Sequence, residues 1–283
     1  MKIGIIGLGL IGGSIAKAIK KYTEHTVLGY DMSSDVLKSA SACGAIDKTL
    51  LNAGGLPSCD MTVIALYPRA AIEYVTANQK SFKKGSIVLD CCGVKRQVCE
   101  EIAPVAEKNG FYFVGGHPMA GIERSGFENS FPEMFKNASF ILTPDKSVPQ
   151  AVIDTISDLV TQIGFGKIQL STPFRHDQMI AYTSQLAHVV SCAYVTSPLS
   201  ESFRGYSAGS FQDMTRVAKL NETMWTELFI ENKDELCKEI DSLTERLVAL
   251  SSAIKREARD ELFELLKKSR ETKEYIDGER GDK

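Results

Sequence analysis

The first twelve residues constrain the fold of this chain more than any other segment. A short apolar run over residues 2–6 leads directly into residues 7–12, G-L-G-L-I-G, which match the motif G-x-G-x-x-G. Glycines at this spacing permit a tight turn, a close approach of the backbone to a bound group and close packing of a helix on a strand. The motif alone is a weak signal. Its position between a predicted strand and a predicted helix over residues 15–22 is the context that a dinucleotide site requires.

A carboxylate follows the second predicted strand, residues 26–30. Asp31 lies 19 positions after Gly12, where an acidic side chain accepts hydrogen bonds from the adenosine ribose of NAD and repels the 2′-phosphate of NADP. The start of the helix adds free N–H groups and a positive dipole end for the pyrophosphate. We therefore predict an NAD site, with Ser33 and Ser34 leaving NADP as an alternative. The predicted cofactor-binding residues are Gly7, Leu8, Gly9, Leu10, Ile11, Gly12 and Asp31.

Strand-like and helix-like segments alternate through the first part of the chain. Because several strand-like segments are apolar at consecutive positions, they are typical of strands covered on both faces. The alternation predicts an α/β Rossmann domain over residues 1–171, with a mostly parallel, doubly wound sheet. The predicted strands are residues 2–6, 26–30, 61–66, 86–89, 111–114, 139–142 and 167–170, and helices between them include residues 15–22, 94–108 and 148–163.

Residues 172–283 contain no further strand pattern and predict an all-α C-terminal domain, interrupted at Ser197-Pro198 and by a Gly/Ser-rich loop over residues 205–210. One apolar seam recurs at alternating steps of four and three residues within a long segment from about 222 to 266. It is interpreted either as a face packed in the domain core or as a contact between two subunits. The charged residues 267–283 predict a frayed tail. The seam consists of Leu236, Ile240, Leu243, Leu247, Leu250 and Ile254.

Composition excludes several classes of protein. A net charge of −3 without a basic stripe argues against a nucleic-acid partner. Because no apolar run approaches about 18 residues, we expect no membrane span. The seven cysteines are odd in number and match no zinc spacing, so we expect reduced thiols, no metal site and a cytoplasmic location.

Two residues are candidates for chemistry. His117 follows a predicted strand in a loop over residues 114–121 and is expected near the carboxyl edge of the sheet, where its imidazole could act as a base for a substrate hydroxyl. The competing interpretation is a histidine held by loop backbone. Arg216 follows the Gly/Ser-rich loop and suits a carboxylate substrate, although an ordinary salt bridge is equally compatible. His176 and His188 share a face of one predicted helix, and each by itself is expected to be structural.

Several longer segments together are more specific than any one motif. They are residues 7–14 (GLGLIGGS), 90–95 (DCCGVK), 115–126 (GGHPMAGIERSG), 176–177, 208–218 (AGSFQDMTRVA), 224–225 and 231–233. In these segments the chain resembles the prephenate dehydrogenase family along nearly its whole length. The resemblance leaves no length for a fused chorismate mutase or a regulatory amino-acid-binding domain, and we expect neither.

The resemblance implies an NAD-dependent oxidative decarboxylation of prephenate to 4-hydroxyphenylpyruvate in tyrosine biosynthesis. It implies that His117 hydrogen-bonds the C4 hydroxyl and draws off its proton, that Arg216 holds a substrate carboxylate, and that Glu123 lies close to that arginine and modulates access. It also implies that His188 contacts the substrate side chain and that the enzyme is a homodimer through its C-terminal helices. Further pocket-lining residues, partly from the second subunit, would be Gly209, Asp213 and Trp225.

Two positions depart from the family pattern. Gly93 stands where the family often has a serine, and Gln185 stands where it often has a histidine. A water, Ser125 or a backbone N–H is expected to replace the missing hydroxyl. Arogenate, which carries an amine in place of the ketone of prephenate, therefore remains a candidate substrate. The sequence is also compatible with a different small Rossmann oxidoreductase, such as a 3-hydroxyacid dehydrogenase or an imine reductase, and with an NAD-sensing protein without chemistry.

Overall fold

One sheet organises the N-terminal part of the computed structural model, which describes residues 1–50 and 52–280. All seven predicted strands are present, and an additional short strand lies at one edge, where two residues are too few to show a pattern. The strands are β1 (Lys2–Ile6), β2 (Thr26–Tyr30), β3 (Lys48–Thr49), β4 (Met61–Ile64), β5 (Ile87–Asp90), β6 (Tyr112–Pro118), β7 (Ser139–Pro144) and β8 (Lys167–Leu170).

Helices connect the strands and make up the rest of the described chain. The glycine-rich motif itself begins the first helix, which starts five residues earlier than predicted, at Leu10 rather than Ile15. The helices are α1 (Leu10–Tyr22), α2 (Ser34–Ala42), α3 (Pro68–Ala77), α4 (Arg96–Asn109), α5 (Gln150–Gln162), α6 (Pro173–Ile180), α7 (Leu186–Val195), α8 (Gly209–Thr215), α9 (Glu222–Glu231), α10 (Lys233–Lys255) and α11 (Arg259–Arg280).

The sheet has the strand order β3-β2-β1-β4-β5-β6-β7-β8. All neighbouring strands are parallel except β6 and β7, which run antiparallel. The chain passes from β1 to β2 and β3 on one side and resumes with β4 on the other side of β1. The strand order therefore reverses between β1 and β4, at the type of switch point where open α/β sheets bind ligands. The prediction of a mostly parallel Rossmann sheet is confirmed.

Two apolar clusters cover the two faces of the sheet. In β1, Ile3 and Ile5 belong to one cluster and Ile6 belongs to the other. Successive residues of a strand point to opposite faces, so this alternation places one cluster on each face. Buried residues of α1 and α5 complete the first cluster, and those of α3 and α4 complete the second. The sheet is thus wound on both sides, as expected.

The predicted loop around His117 is a strand. The predicted strand over residues 111–114 continues as β6 to Pro118, because the antiparallel neighbour β7 pairs with this extension. His117 lies opposite Ile141 in that pairing. The local sequence, with two glycines and a proline, resembles a loop, and only the partner strand makes it extended. His117 is therefore held by a sheet and not by a mobile turn.

The chain after β8 is helical, as predicted for the C-terminal domain. The described residues form two compact units, Met1–Lys233 and Asp234–Lys283, so α6 to α9 belong to the same unit as the sheet. The predicted domain boundary between residues 171 and 172 is not tested by this division and stays a prediction. A π-helical turn, Ala181–Gln185, separates α6 from α7. No helix in the described residues has the length and apolar character needed to cross a membrane.

The second unit consists of α10 and α11. The predicted frayed tail from Lys267 onward is wrong for residues 267–280, which continue α11 to Arg280. Pairs of opposite charge four residues apart, Arg270 with Glu274 and Lys273 with Asp277, support this helical turn. Residues 281–283 of that prediction lie outside the described part of the chain. On α10 the predicted seam is unevenly covered, with Leu236 buried and Leu247 and Ile254 exposed.

Candidate active site

The glycine-rich turn lies between β1 and α1 at the carboxyl edge of the sheet. Gly7 has a φ of +86°, which side chains rarely adopt, and a Cβ there would lie 2.6 Å from the carbonyl oxygen of Ala65. A Cβ on Gly12 would lie 1.9 Å from the carbonyl oxygen of Gly7. At Gly9, in contrast, a Cβ would meet no atom within 4 Å. The turn is therefore closed on the protein side and open on the side where a pyrophosphate would approach.

The first residues of α1 complete this cradle. Gly9 is the N-cap residue and offers no side-chain cap, so the free N–H groups of the first turn are available to an anion. Leu10 and Ile11 begin the helix and are half-buried. These features fit a dinucleotide phosphate.

Asp31 stands next to this turn, after the carboxyl end of β2. Its Oδ2 accepts a hydrogen bond from the backbone N–H of Leu8 at 2.8 Å, and its Oδ1 accepts one from the N–H of Ser33 at 2.8 Å. Each carboxylate oxygen retains a further lone pair. Since the side chain is only half-buried, it remains available to the ribose hydroxyls of a dinucleotide. The predicted cofactor residues are thus brought together in one place.

His117 lies at the carboxyl end of β6, on the same edge of the sheet. Its Nδ1 is 2.8 Å from Nε2 of His176, a residue 59 positions later on α6. Burial, the neighbouring ring of His176 and the charge of Lys95 hold the pKa of His117 well below its usual value. The imidazole is therefore neutral around pH 7, as a general base must be before it accepts a proton.

A buried carboxylate follows His176 on the same helix. Nδ1 of His176 is 2.7 Å from Oδ1 of Asp177, and both side chains are almost completely buried. Asp177 also accepts hydrogen bonds from the backbone N–H groups of Lys95 at 2.7 Å and Arg96 at 2.9 Å, at the start of α4. Burial opposes ionisation of Asp177, but the hydrogen bonds from His176 and Arg96 keep its pKa below the usual value.

A second buried pair supports the strand that carries His117. Lys95 forms an ion pair with Asp90 at the end of β5, and neither side chain is exposed. Asp90 also accepts hydrogen bonds from the backbone N–H groups of Cys92 at 2.8 Å and Gly116 at 3.1 Å. Although burial opposes it, the carboxylate of Asp90 raises the pKa of Lys95. The pair therefore joins the end of β5 to β6 at the residue before His117.

Arg216 and Glu123 form an ion pair, and both side chains are largely exposed. They line an open cavity of about 470 Å³ together with Ile122, Arg124 and Lys219. Glu123 is kept ionised, because a backbone hydrogen bond at Glu123 itself and the charge of Arg216 lower its pKa. An exposed ion pair contributes little free energy, so a carboxylate ligand can compete with Glu123 for the guanidinium of Arg216.

His188 and Trp225 form a stacked pair in the same region. Their ring centroids are 3.7 Å apart, and Nδ1 of His188 donates a hydrogen bond to the carbonyl oxygen of Ser184 at 3.0 Å. Burial lowers the pKa of His188, and the charges of Arg216 and Glu123 act on it as well. Four of the predicted substrate-binding residues therefore lie close together: Arg216, Glu123, His188 and Trp225.

The remaining two predicted pocket residues lie on α8. Gly209 begins this helix, and Asp213 follows it one turn later, both exposed to solvent. Helix α8 packs against α7, which carries His188. Gly209 has no side chain, and the Asp213 carboxylate forms no hydrogen bond or ion pair within the described part of the chain.

The two positions that depart from the family pattern both lie next to Leu228. Gln185 is buried, donates a hydrogen bond to the carbonyl oxygen of Leu228 at 3.0 Å and accepts one from Asn232 at 2.7 Å. It therefore joins helices and does not face the cavity beside Arg216. A Cβ at Gly93 would lie 3.3 Å from the Leu228 side chain. Within the described residues, the hydrogen-bond partner of the His117 ring is His176. The expectation that Ser125 or a backbone N–H would take the place of the family's serine is wrong.

The glycine-rich cradle, Asp31 and a neutral histidine at the same sheet edge define an NAD-dependent dehydrogenase. Comparison with known proteins gives the family. Sequence models of prephenate dehydrogenase match the chain twice, as the nucleotide-binding domain over residues 15–169 and as the dimerization domain over residues 172–268. The chain belongs to the prephenate dehydrogenase family.

Individual relatives cover nearly the whole chain. A cyclohexadienyl dehydrogenase of Zymomonas mobilis is 33% identical over 279 residues, which span 96% of this chain and 94% of the relative. A prephenate dehydrogenase of Bacillus subtilis is 27% identical over 97% of this chain and 75% of its own length. The crystal structure of prephenate dehydrogenase from A. aeolicus, with hydroxyphenyl propionate and NAD+, has a TM-score of 0.87 at 28% identity and 98% coverage of both chains.

These findings confirm the predicted family, the Rossmann fold with a helical C-terminal part, the enzyme class and NAD as the cofactor. The prediction of oxidative decarboxylation of prephenate is confirmed at the level of the family. These findings favour the prephenate dehydrogenase family over a different small Rossmann oxidoreductase and over an NAD-sensing protein without chemistry. The roles of individual residues remain predictions.

Proposed function

We propose that this chain oxidises prephenate to 4-hydroxyphenylpyruvate and CO₂, with His117 as the general base. The observation that carries the proposal is the neutral imidazole of His117, held by β6 at the same sheet edge as the glycine-rich cradle. Residues 7–12 and Asp31 would hold NAD, whose nicotinamide ring would accept the hydride. The predicted pathway is tyrosine biosynthesis.

The reaction requires little covalent chemistry from the protein. The C4 hydroxyl of prephenate gives its proton to His117 as the C4–H bond breaks and its hydrogen leaves as a hydride. The electron pair of the bond between C1 and its carboxylate then enters the ring, CO₂ leaves, and the proton returns to the phenol oxygen. Because the ring becomes aromatic, the enzyme mainly supplies position, a proton acceptor and a charge clamp.

Charge in the cavity beside Arg216 favours prephenate over arogenate. Three cationic side chains, Arg124, Arg216 and Lys219, line it with a single carboxylate, Glu123. Prephenate is a dianion, whereas arogenate carries the same two carboxylates and an added ammonium group. The excess of cations therefore attracts prephenate more strongly. Glu123 favours the second candidate, arogenate, because its carboxylate suits an ammonium group.

The other predicted pocket residues have supporting positions. His188 and Trp225 provide a stacked aromatic surface next to the cavity that contains Arg216. Gly209 and Asp213 complete the proposed pocket from α8. We propose that the second subunit of a homodimer contributes part of this lining, in keeping with the dimerization domain matched at residues 172–268.

The proposed location is the cytoplasm. Each of the seven cysteines carries a free thiol in the structure. Free thiols are typical of a reducing compartment. Fractionation of the source cells, with activity recovered in the cytosolic fraction, tests this proposal.

NADH formation by the purified protein tests the proposed function. We expect kcat/KM with NAD to be at least about tenfold higher for prephenate than for arogenate, which corresponds to about 1.4 kcal/mol of transition-state binding. NADP in place of NAD should lower the rate for either substrate. A preference for arogenate would overturn the substrate assignment. NAD binding without turnover of either substrate would overturn the enzymatic assignment of this site.

A further inference from the structure

We propose that His176 and Asp177 are positioning residues that select the tautomer of His117 in which Nε2 is free to accept a proton. This inference rests on the proposed function only for its kinetic consequence, because the tautomer itself is a property of the protein without substrate. Among the described residues, neither forms a hydrogen bond with the predicted cofactor residues or with Arg216. Their contribution is made through the ring of His117.

Three side chains form a continuous chain of hydrogen bonds. Nδ1 of His117 lies 2.8 Å from Nε2 of His176, and Nδ1 of His176 lies 2.7 Å from Oδ1 of Asp177. The ring centroids of the two histidines are 5.0 Å apart, and the rings are tilted by 57°. Both links have ordinary hydrogen-bond lengths. Each therefore contains one proton, and the position of each proton depends on the next group in the chain.

The carboxylate sets the direction of the chain. Asp177 accepts hydrogen bonds from the backbone N–H groups of Lys95 and Arg96, and the Arg96 guanidinium lies 3.5 Å from Oδ2. All of these groups are donors or cations, so they stabilise the ionised form of Asp177. An ionised carboxylate only accepts hydrogen bonds. Nδ1 of His176 must therefore carry the proton in the bond to Asp177.

The remaining assignments follow from the neutral state of both histidines. Burial lowers the pKa of His176 and, together with His176 and Lys95, that of His117. A neutral imidazole has one N–H and one acceptor nitrogen. With its proton on Nδ1, His176 presents Nε2 as an acceptor, and His117 must donate from Nδ1. Nε2 of His117 is left without a proton, as a general base requires.

Other buried groups hold His176 and Asp177 in place. The side-chain amide of Asn232 donates hydrogen bonds to the backbone carbonyl of Asp177 at 2.9 Å and to Gln185 at 2.7 Å. Asn232 is fully buried, and Gln185 belongs to the π-helical turn after α6. π-Helical turns are frequent at functional sites. The helix that carries His176 and Asp177 is therefore anchored by a polar contact from the residue after α9 as well as by the start of α4.

This chain of hydrogen bonds has a chemical consequence, because a free neutral imidazole favours the opposite tautomer. With the proton on Nε2, His117 would donate a hydrogen bond to a substrate hydroxyl and could not accept its proton. His176 prevents this arrangement, because its Nε2 offers an acceptor to Nδ1 of His117. The same principle operates where a carboxylate orients the histidine of a serine protease.

Nitrogen NMR tests the tautomer directly. The chain has only four histidines, so protein labelled with ¹⁵N-histidine gives a small set of two-bond ¹H–¹⁵N correlations. Without substrate, at about pH 7.5, where a neutral imidazole is expected, His117 should show a protonated Nδ1 and an unprotonated Nε2. In His176→Phe the pattern should change to a protonated Nε2. A wild-type pattern with a protonated Nε2 would overturn the proposal, whatever the substrate of the enzyme is.

Kinetics of matched variants separate positioning from folding. His176→Gln keeps an amide oxygen that can accept from Nδ1 of His117, whereas His176→Phe has no acceptor. We expect His176→Phe to lower kcat about 10²-fold, within the range of a general base, with unchanged NAD affinity, and His176→Gln to recover most of that loss. Equal losses of kcat in both variants would overturn the role. His25→Phe, outside the site, is the control for a histidine replacement.

A change at the carboxylate provides an independent test. Asp177→Asn has only one acceptor oxygen. We expect that oxygen to stay on the side of the Arg96 N–H and guanidinium, which turns the N–H₂ group toward Nδ1 of His176 and removes its acceptor. We expect a loss of kcat like that of His176→Phe and the same change in the His117 nitrogen pattern. An unchanged pattern and unchanged kcat would overturn the part of the proposal that concerns Asp177. Absence of turnover in the wild type would count against the proposed function alone.

Discussion

The protonation state of single side chains decides what this site can do. His117 is neutral because burial, the ring of His176 and the ammonium of Lys95 all disfavour its cation. Arg216 is a permanent cation paired with an exposed carboxylate, Glu123. A neutral base and an exposed cation are the two groups that oxidation of a carboxylate-bearing alcohol requires. The sequence predicted both groups, His117 as a base and Arg216 as a clamp for a carboxylate.

Replacing the proposed base tests its role. We expect His117→Asn to lower kcat by roughly 10²–10⁴-fold, the contribution of a general base, while the dissociation constant for NAD remains nearly unchanged. The amide retains polarity and approximate size but cannot take up the proton. Stopped-flow measurement of NADH formation, with NAD titrated separately by fluorescence, checks both quantities. Near-normal turnover in this variant, with His25→Asn as the control, would remove His117 from the mechanism.

Replacing the proposed clamp should act on substrate binding. Arg216→Ala removes a charge-assisted hydrogen bond of about 1.5–3 kcal/mol, so we expect KM for prephenate to rise about tenfold or more, with a smaller change in kcat. Arg216→Lys keeps the charge, so its KM for prephenate should lie between those of the wild type and Arg216→Ala. Steady-state kinetics at constant ionic strength measure the effect. An unchanged KM in Arg216→Ala would show that the ion pair with Glu123 is only structural.

Asp31 should control the choice of cofactor. In Asp31→Asn the charge that repels a 2′-phosphate is gone, although an acceptor oxygen remains. We expect kcat/KM for NAD to fall and that for NADP to rise, changing their ratio by about tenfold or more. The ratio is measured with prephenate at saturation. Asp35→Asn, an exposed neighbour on α2 paired with Lys38, is the control, and an equal ratio in both variants would contradict the role of Asp31.

At the scale of secondary structure, the site depends on how β5, β6 and α4 are joined. The Asp90–Lys95 pair and the hydrogen bond from Gly116 connect the end of β5 to β6. The start of α4 then supplies two N–H groups to Asp177. A single buried polar network therefore reaches both His117 and His176.

Breaking the buried pair should reduce stability. In Lys95→Met the carboxylate of Asp90 stays buried without its cation, and we expect a loss of about 3–5 kcal/mol in the free energy of unfolding. Lys38→Met breaks an exposed pair and should cost no more than about 1 kcal/mol. Urea denaturation followed by circular dichroism measures both. Equal losses in the two variants would mean that Asp90 finds other compensation in the folded protein.

At the scale of the whole molecule, the second unit exposes apolar side chains on both of its helices. Leu247 and Ile254 of the predicted seam are 55% and 60% exposed on α10, and Phe263 and Leu266 are exposed on α11. Large apolar side chains exposed together mark a contact surface. This exposure supports a subunit contact as the interpretation of the seam, with symmetric pairing as the simplest arrangement.

Charges on this surface should separate the subunits. If the proposed homodimer pairs through this surface, we expect Leu247→Lys combined with Ile254→Lys to convert it into a monomer at micromolar concentration, because two cations would be buried without partners. Sedimentation velocity gives the mass of each form. Glu245→Lys changes an exposed residue of the same helix and is the control. A double variant that remains dimeric would show that the contact between subunits lies elsewhere.

Local spacing in the sequence determined the cofactor half of this protein. The turn between β1 and α1 and the position of Asp31 after β2 depend on residues close by in the chain, so the G-x-G-x-x-G motif was enough to predict them. Apolar runs likewise predicted the strands, since each must be covered on both faces. Side-chain chemistry suggested Arg216, and family resemblance added Glu123, His188 and Trp225. The structure brings these four side chains close together.

Only the tertiary structure decided how the catalytic half is built. The strand at His117 exists because β7 pairs with it, and the partner of His117 is His176, 59 residues away. Gln185, which stands where the family often has a histidine, is a buried link between helices. No local pattern encodes these contacts, because they depend on which elements pack together after long connections. The pattern of one segment determines its own turns and faces, whereas the state of a proton depends on the groups that folding brings around it.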